Sequence, residues 1–219
     1  MHNPVVLTTV VTPASTYNLI DLATLKTLLG VSGTASDAYL TALIPIVSTR
    51  IAQYCNRVLP AEAVIDQFWA QRDGFPIANR GAAPPVQLTR YPVQTLTSVV
   101  ETVAGLPTTL VQGTDFNLDP VKAQLTRLDF SGYPVKWQPN LIAVTYTGGL
   151  SPIPPDIAFA AAAWIQAMRS AQGRDPALRS QTSPGVFEQT YFGTGAGVAG
   201  GMPRDVADCL DNYKSVLIG

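Results

Sequence analysis

The residues most used in catalysis and zinc binding are scarce in this chain. Its one histidine is His2, and its two cysteines, Cys55 and Cys209, lie far apart in the sequence. A Ser-His-Asp or Cys-His catalytic device needs a histidine held in a cleft, and a zinc site needs a cluster of ligands. Both cysteines fall inside apolar helical patterns, which indicates buried free thiols. The sequence therefore predicts a non-enzymatic protein with no cofactor and no zinc site.

The acidic residues also lack the spacing of a catalytic or calcium-binding set. Asp115 and Asp119 each adjoin a turn residue, which favours a turn or capping role for both. Three further aspartates follow the solvated side of the predicted last helix, at positions 205, 208 and 211.

A glycine motif, Gly195–Gly200, formally matches G-x-G-x-x-G. A dinucleotide site also needs a preceding strand, a long following helix and a further strand that carries an acid. The few residues after the motif leave no room for that unit, so we interpret the motif as part of a flexible arm.

Charge is low and evenly spread. Only 13% of the residues are charged, the formal net charge is −1, and the basic residues are scattered singly. Arg90-Tyr91 and Lys136-Trp137 place a base beside an aromatic residue, as single-strand binders do, but both lie near prolines in turn contexts. We interpret them as turn residues at the rim of a sheet. A surface with few charges suits lasting contact with other proteins better than binding to nucleic acid.

Four helices are predicted from caps and apolar periodicity. The first begins near Asp21 and stops at Gly30, and the second begins at Ser36, ends around Arg57 and is kinked at Pro45. The third is alanine-rich and runs from residue 156 to about 170. The fourth is opened by the proline at position 203.

Short strands separated by turn residues are predicted between about residues 63 and 147. No helix interrupts them, which disfavours a doubly wound nucleotide fold. We therefore predict an α+β fold in which a bundle of about four helices packs with an antiparallel β meander or small sandwich. A long flexible loop precedes the C-terminal helix.

Four segments follow from this pattern. Residues 1–18 form an extended arm, 19–171 one α+β domain, 172–201 a flexible loop, and 202–219 a C-terminal helix and tail. The N-terminus lacks a basic signal-peptide start, and no apolar run approaches the ~20 residues of a membrane span. We expect a soluble protein that is made in the cytoplasm and has no contact with a membrane.

In their order, these elements resemble the head–tail connector (adaptor) family of long-tailed bacteriophages and gene transfer agents. Residues 22–30 resemble its L-x-x-L-K-x-x-L helix, and residues 54–57 the Y-x-x-R that ends its second helix. Further likenesses are the Tyr91-Pro92-Val93 strand start, the V-x-Y-x-x-G at 144–149, the P-x-D-I at 154–157, the small-residue loop at 183–186 and the closing L-x-x-Y at 210–213. Two features depart from the pattern, namely Pro45 and a longer β region.

The resemblance implies a structural virion protein of the neck, synthesised in the host bacterial cytoplasm. Its subunits would form a ring, usually dodecameric, beneath the portal after DNA packaging. The C-terminal part would dock on the portal protein, the opposite face would receive a stopper or tail protein, and DNA would pass through the channel without sequence-specific contacts.

Two groups of residues are the candidate contact sites. The portal-binding candidates form the apolar C-terminal tail: Lys214, Ser215, Val216, Leu217, Ile218 and Gly219. The candidates for contact with a neighbouring subunit or partner lie in the loop: Ser183, Gly185, Val186, Phe187, Tyr191 and Phe192. For Val206, Leu210 and Tyr213 we favour packing in the subunit's own core.

Two other functions remain open from the sequence. One is another neck protein, a stopper or tail-completion subunit, although those are generally β-barrel-like and lack an opening helix pair. The other is a carbohydrate-binding or hydrolytic β-rich module, which would need exposed aromatic residues or paired carboxylates near the strand ends. The three tryptophans, at positions 69, 137 and 164, fall in three different contexts.

Overall fold

The computed structural model describes residues 5–69, 85–137, 141–171, 180–183, 187–190 and 201–215. Helices and antiparallel strands are both present, so the predicted α+β class is confirmed. The helices are α1 (Leu22–Leu29), α2 (Asp37–Cys55), α3 (Pro155–Ala171) and α4 (Arg204–Leu210), the last followed by a 3₁₀ turn at Asp211–Tyr213. The strands are β1 (Val5–Thr12), β2 (Glu62–Trp69), β3 (Val86–Gln87), β4 (Val93–Val103), β5 (Leu106–Thr109), β6 (Phe116–Asp119), β7 (Gln124–Leu128), β8 (Pro134–Val135), β9 (Leu141–Gly148), β10 (Ser180–Ser183) and β11 (Phe187–Thr190).

Local signals set the ends of the first two helices. The Asp21 carboxylate accepts hydrogen bonds from the backbone N–H and the hydroxyl of Thr24, and Gly30 ends α1 at a φ of 63°. Helix α2 continues through Pro45 and ends at Asn56, which also adopts the left-handed conformation. Its buried residues follow the predicted stripe: Leu40, Leu43, Ile44, Val47, Ser48, Ile51 and Cys55.

A five-stranded antiparallel sheet has the strand order β1-β2-β9-β4-β5. Strand β2 alternates between buried and half-buried side chains up to its exposed last residue, Trp69, and β9 shows the same alternation. Each therefore turns one face toward the apolar core. Strand β9 lies between β2 and β4, so the sheet is not a simple meander in sequence order.

A smaller sheet has the order β3-β7-β6, with β8 also paired to β7. Its buried residues, among them Phe116 and Leu125, belong to the same apolar cluster as Val64, Val99 and Val144 of the large sheet. The two sheets thus share one core, as the predicted small sandwich requires.

The chain forms two compact units. Within the described residues, one contains 5–16 and 58–152, which hold strands β1–β9, and the other contains 17–57 and 153–215, which hold the helices and the β10–β11 hairpin. That hairpin lies in the segment predicted to be a flexible loop and pairs Ser180 with Thr190 and Ser183 with Phe187. The division into arm, domain, loop and tail made from the sequence stays a prediction.

Among the described helices, none is both long and apolar enough to cross a bilayer.

Candidate protein-interaction surfaces

Asp115 and Asp119, the two aspartates considered above as a possible acidic pair, both accept hydrogen bonds within turns. An Asp115 carboxylate oxygen accepts the Val111 N–H at 2.8 Å, and Asp119 accepts the N–H groups of Val121 and Lys122 at 3.1 and 3.0 Å. The predicted turn roles are confirmed. Within the described residues, no group of three or more His, Cys, Asp or Glu side chains could hold a metal ion. His2 and the glycine motif at 195–200 lie outside the described residues.

The two cysteines differ in their surroundings. Cys55 is fully buried and its burial raises the pKa of its thiol to about 11, so it is unreactive at neutral pH. Cys209 is partly exposed, so the prediction of a buried thiol is wrong at this position. The reason is local: α4 has only seven residues, and its buried stripe is Val206, Ala207 and Leu210, which leaves Cys209 at the flank.

A buried carboxylate that the sequence analysis missed lies in the large sheet. Asp66 is completely buried on β2 and accepts hydrogen bonds from the hydroxyls of Thr8, Thr89 and Tyr146, at 2.7, 2.9 and 2.7 Å respectively. It also accepts the Thr89 N–H at 2.8 Å. These bonds join β1, β2, β9 and the segment after β3. The position of Asp66 in the alternating pattern of β2 could have identified it from the sequence. It occupies an inward position, where an apolar residue is expected.

The chemistry of this network is structural. Burial and the nearby Asp66 carboxylate raise the pKa of Tyr146, so its hydroxyl stays protonated and remains a donor to Asp66. The Tyr146 oxygen accepts the Arg90 N–H at 2.9 Å. Every named group is held in a donor–acceptor chain, which locks β1 onto the sheet.

Most of the residues considered for contact with DNA or sugars are buried or paired with other residues of the chain. The Arg90 guanidinium lies 2.9 Å from the buried Glu62 carboxylate. Trp137 and Trp164 are both buried, which leaves Trp69 as the exposed tryptophan. Arg90 is thus held by an ion pair, and the prediction of a rim position is wrong for Trp137, because its ring is part of the buried core between the two sheets. Two of the three tryptophans are therefore unable to stack on a ligand.

The described end of the chain is held against α2 by a set of contacts that we call the C-terminal clasp, made by Tyr54, Cys55, Asp211, Lys214 and Ser215. The Tyr54 hydroxyl donates to Asp211 at 2.7 Å, and the Lys214 ammonium lies 2.8 Å from the same carboxylate and 3.9 Å from the Tyr54 ring centre. The Ser215 N–H donates to the Cys55 carbonyl at 2.8 Å.

The charges of the clasp reinforce one another. Hydrogen bonds from Lys214 and Tyr54 lower the pKa of Asp211, and the bond to Asp211 raises the pKa of Lys214 to about 12. Close by, the Tyr213 hydroxyl donates to Asp156 at 2.7 Å. Val206 and Leu210 are buried, which supports the own-core interpretation for them.

Of the predicted portal-binding residues, Lys214 and Ser215 are the two that the structure describes, and residues 216–219 lie outside it. In the second group, Ser183 and Phe187 are paired in the register of the β10–β11 hairpin. Gly185, Val186, Tyr191 and Phe192 lie outside the described residues. Both groups stay predictions. The clasp adds one constraint, because it fixes the position of Ser215, the residue that precedes residues 216–219.

Two exposed apolar surfaces were missed by the sequence analysis. The first, which we call the tip, is Phe130 and Tyr133 in the turn between β7 and β8. The second, which we call the β1 face, is Leu7, Val11 and Trp69 on the neighbouring strands β1 and β2.

Comparison with known proteins gives a family match for part of the chain. Residues 19–89 match the family model described as "Phage gp6-like head-tail connector protein". That segment contains the helix pair α1–α2, all of β2 with Asp66, and Thr89. The resemblance to head–tail connector proteins is confirmed.

Solved structures share the fold of the chain along almost its entire length. A chain of the structure described as "Neck of empty GTA particle computed with C6 symmetry" has 18% identity and a TM-score of 0.54. "Virion of native gene transfer agent (GTA) particle" gives 17% and 0.55, and "Neck of native GTA particle computed with C12 symmetry" gives 18% and 0.53. Each match covers 97% of this chain and 97% of the other. No curated protein matches the chain.

Proposed function

We propose that this protein is a structural component of the neck of a phage or gene transfer agent particle. It acts there as the adaptor ring between the portal and the stopper or tail. The observation that carries the proposal is the fold match over 97% of both chains to neck proteins of such particles. The connector-family match at residues 19–89 supports it independently from sequence.

A cyclic ring is consistent with the symmetry of the matched structures and with the low charge of this chain. The matched structures are described with sixfold and twelvefold symmetry, and a dodecamer satisfies both, because a twelvefold ring contains the sixfold axis. The low charge of this chain leaves a DNA channel without strong attraction for phosphate, so the genome passes without being held. The adaptor acts by assembly and performs no chemical step.

The C-terminal tail is the portal-docking element of this proposal. The clasp holds Lys214 and Ser215 on α2, and the apolar Val216, Leu217 and Ile218 follow directly. A short apolar segment that leaves a fixed anchor loses little conformational entropy when it enters a groove. We therefore expect residues 216–219 to insert into the portal, with the apolar side chains of residues 216–218 supplying the binding energy.

The test is to mix the purified protein with the portal of its own particle and to image the product by electron microscopy. We expect a collar of new density on the tail-facing end of the portal. Replacing residues 216–218 by serine keeps the chain length and should abolish the collar, whereas deleting Gly219 alone is the matched control and should preserve it.

Intact portals that never gain density would overturn portal binding. Density that instead appears on purified tails or on adaptor-loaded portals would assign the protein to the stopper position. A collar that survives the serine replacement would retain the adaptor function and reject the tail as its anchor.

A further inference from the structure

The segment that follows α4, residues 211–215, is held in place without burying an apolar side chain. Leu210 is the last fully buried residue of α4, and no residue of the 3₁₀ turn at Asp211–Tyr213 is buried. Lys214 is exposed and Ser215 is half-buried. Polar contacts, and not apolar packing, therefore fix the position of this segment.

Tyr54, in the last turn of α2, makes two of those contacts. Its hydroxyl donates to the Asp211 carboxylate at 2.7 Å, and its ring centre lies 3.9 Å from the Lys214 ammonium. The same ammonium lies 2.8 Å from Asp211, so each of the three side chains contacts the other two. Removing the Tyr54 side chain would break both of these links between α2 and the segment.

The end of α2 is itself a favourable place for this segment to bind. The last carbonyl groups of a helix have no partners within the helix and carry partial negative charge. The Ser215 N–H donates to one of them, the Cys55 carbonyl, at 2.8 Å. The last turn of α2 contains no basic residue of its own, and Lys214 brings a cation to the ring of Tyr54 in that turn.

We propose that Tyr54 is the residue that positions the C-terminal tail for docking, and that the clasp stays closed while the tail enters the portal. This inference rests on the proposed function and names the residue that controls its docking element. With Tyr54 in place, residues 216–219 follow a fixed Ser215. Without its side chain the segment loses two links to α2, and ordering the segment again on docking costs conformational entropy.

The first test compares two tyrosines of the same helix by titrating the protein onto immobilised portals of its own particle. Tyr54→Ser should weaken binding by about tenfold or more, because the tail is no longer held in position. Its melting temperature should fall by no more than about 4 °C, because surface contacts contribute little to the free energy of unfolding.

Tyr39→Ser is the matched control. Tyr39 is also half-buried on α2 but lies about 22 Å from Tyr54 along the helix, so this variant should bind like the wild type. Tyr54→Phe keeps the ring beside Lys214 and loses only the hydrogen bond to Asp211, so its loss of affinity should be smaller than that of Tyr54→Ser.

A covalent substitute for the clasp separates positioning from direct contact with the portal. The double variant Tyr54→Cys and Lys214→Cys removes both side chains, and Cys209→Ser removes the partly exposed native thiol, whereas Cys55 is buried. Before cross-linking, this protein should bind as weakly as Tyr54→Ser. A short bismaleimide that joins the two introduced thiols should restore most of the lost affinity, and the same reagent on Tyr54→Cys alone should restore none.

The other outcomes reject this inference without touching the adaptor function. Wild-type affinity of Tyr54→Ser, or an equal loss in Tyr39→Ser, would overturn the positioning role. A cross-linked protein that binds as weakly as the uncross-linked one would mean that the lost side chains contact the portal themselves. Loss of binding only after cross-linking would mean that the clasp must open. Wild-type protein that never binds intact portals would overturn the proposed function, and the positioning role with it.

Discussion

At Asp66, a charged side chain is fully buried and every donor around it is supplied by the chain itself. Burying a carboxylate is costly unless its oxygens are hydrogen-bonded, and here the two oxygens accept three hydroxyl donors and one amide donor from three parts of the sequence. Asp66 thus helps to fix the positions of β1, β9 and the segment after β3 relative to β2. Its role is structural, because its bond to Thr8 ties β1 to the rest of the sheet.

Asp66→Asn should lower the free energy of unfolding by about 1.5–3 kcal/mol, the range for losing hydrogen bonds to a buried charged group. The amide N–H₂ would face the Thr89 N–H or the Tyr146 hydroxyl, both of which donate to Asp66 in the native protein. Urea unfolding followed by circular dichroism measures the change. Asp208→Asn, on the exposed side of α4, is the matched control and should change little; equal effects of the two substitutions would contradict this account.

The two thiols should differ in reactivity. At about pH 8 a thiol reagent should modify Cys209 first, whereas Cys55 should react only after unfolding, because its burial excludes the reagent and keeps the thiol protonated. Since the folded pKa of Cys55 is raised to about 11, its stabilising contribution is present below its ordinary value of 9.0 and is lost as the pH rises through 11. Counting modified thiols before and after adding denaturant tests this. Rapid labelling of both would show that α2 opens readily.

Specific side-chain contacts fix the ends of helix α1 and the described C-terminal end of the chain. Asp21 and Gly30 bound α1 by side-chain capping and by a left-handed φ. The C-terminal clasp does the same for the last described residues, through an ion pair, a hydroxyl and a cation over an aromatic ring. Because the clasp is on the surface, it contributes little to the free energy of unfolding. Its main effect is to fix the position of the residue after which the apolar tail begins.

Asp211→Asn should loosen the clasp, and the effect should depend on pH. The folded pKa of Asp211 is lowered below its ordinary value of 3.8, so its stabilising contribution is present above about 3.8 and is lost as the pH falls through the lower folded value. The variant should therefore melt at a slightly lower temperature than the wild type at neutral pH and at the same temperature in strong acid. Melting curves across that range, with Asp205→Asn as the exposed control, measure the difference. A gap that persists in acid would assign the effect to something other than the carboxylate charge.

For the whole molecule, low charge and exposed apolar surfaces point to a protein that works inside an assembly. A net charge of −1 spread over 219 residues gives weak long-range attraction or repulsion, so contacts depend on shape and apolar area.

The isolated protein should not bind double-stranded DNA, even at low ionic strength. Non-specific DNA binding depends on basic residues that displace counterions, and here the basic residues are scattered, with Arg90 and Arg127 already paired with Glu62 and Glu101. A mobility-shift titration at about 50 mM salt should show no complex. A shift that weakens steeply with added salt would contradict this and would indicate a basic channel lining.

Local sequence determined the helices of this protein, since caps and apolar stripes act within a few residues. Asp21, Gly30 and the α2 stripe could therefore be predicted to within one or two positions, and the order of the elements was enough to indicate the connector family. Strand pairing was decided only by the tertiary structure. Nothing near β2 or β4 in sequence indicates that β9 lies between them, because that position depends on burying the inward faces of all three strands in one core. The same reason applies to Asp66, whose hydrogen-bond partners Thr8, Thr89 and Tyr146 are distant from it in sequence.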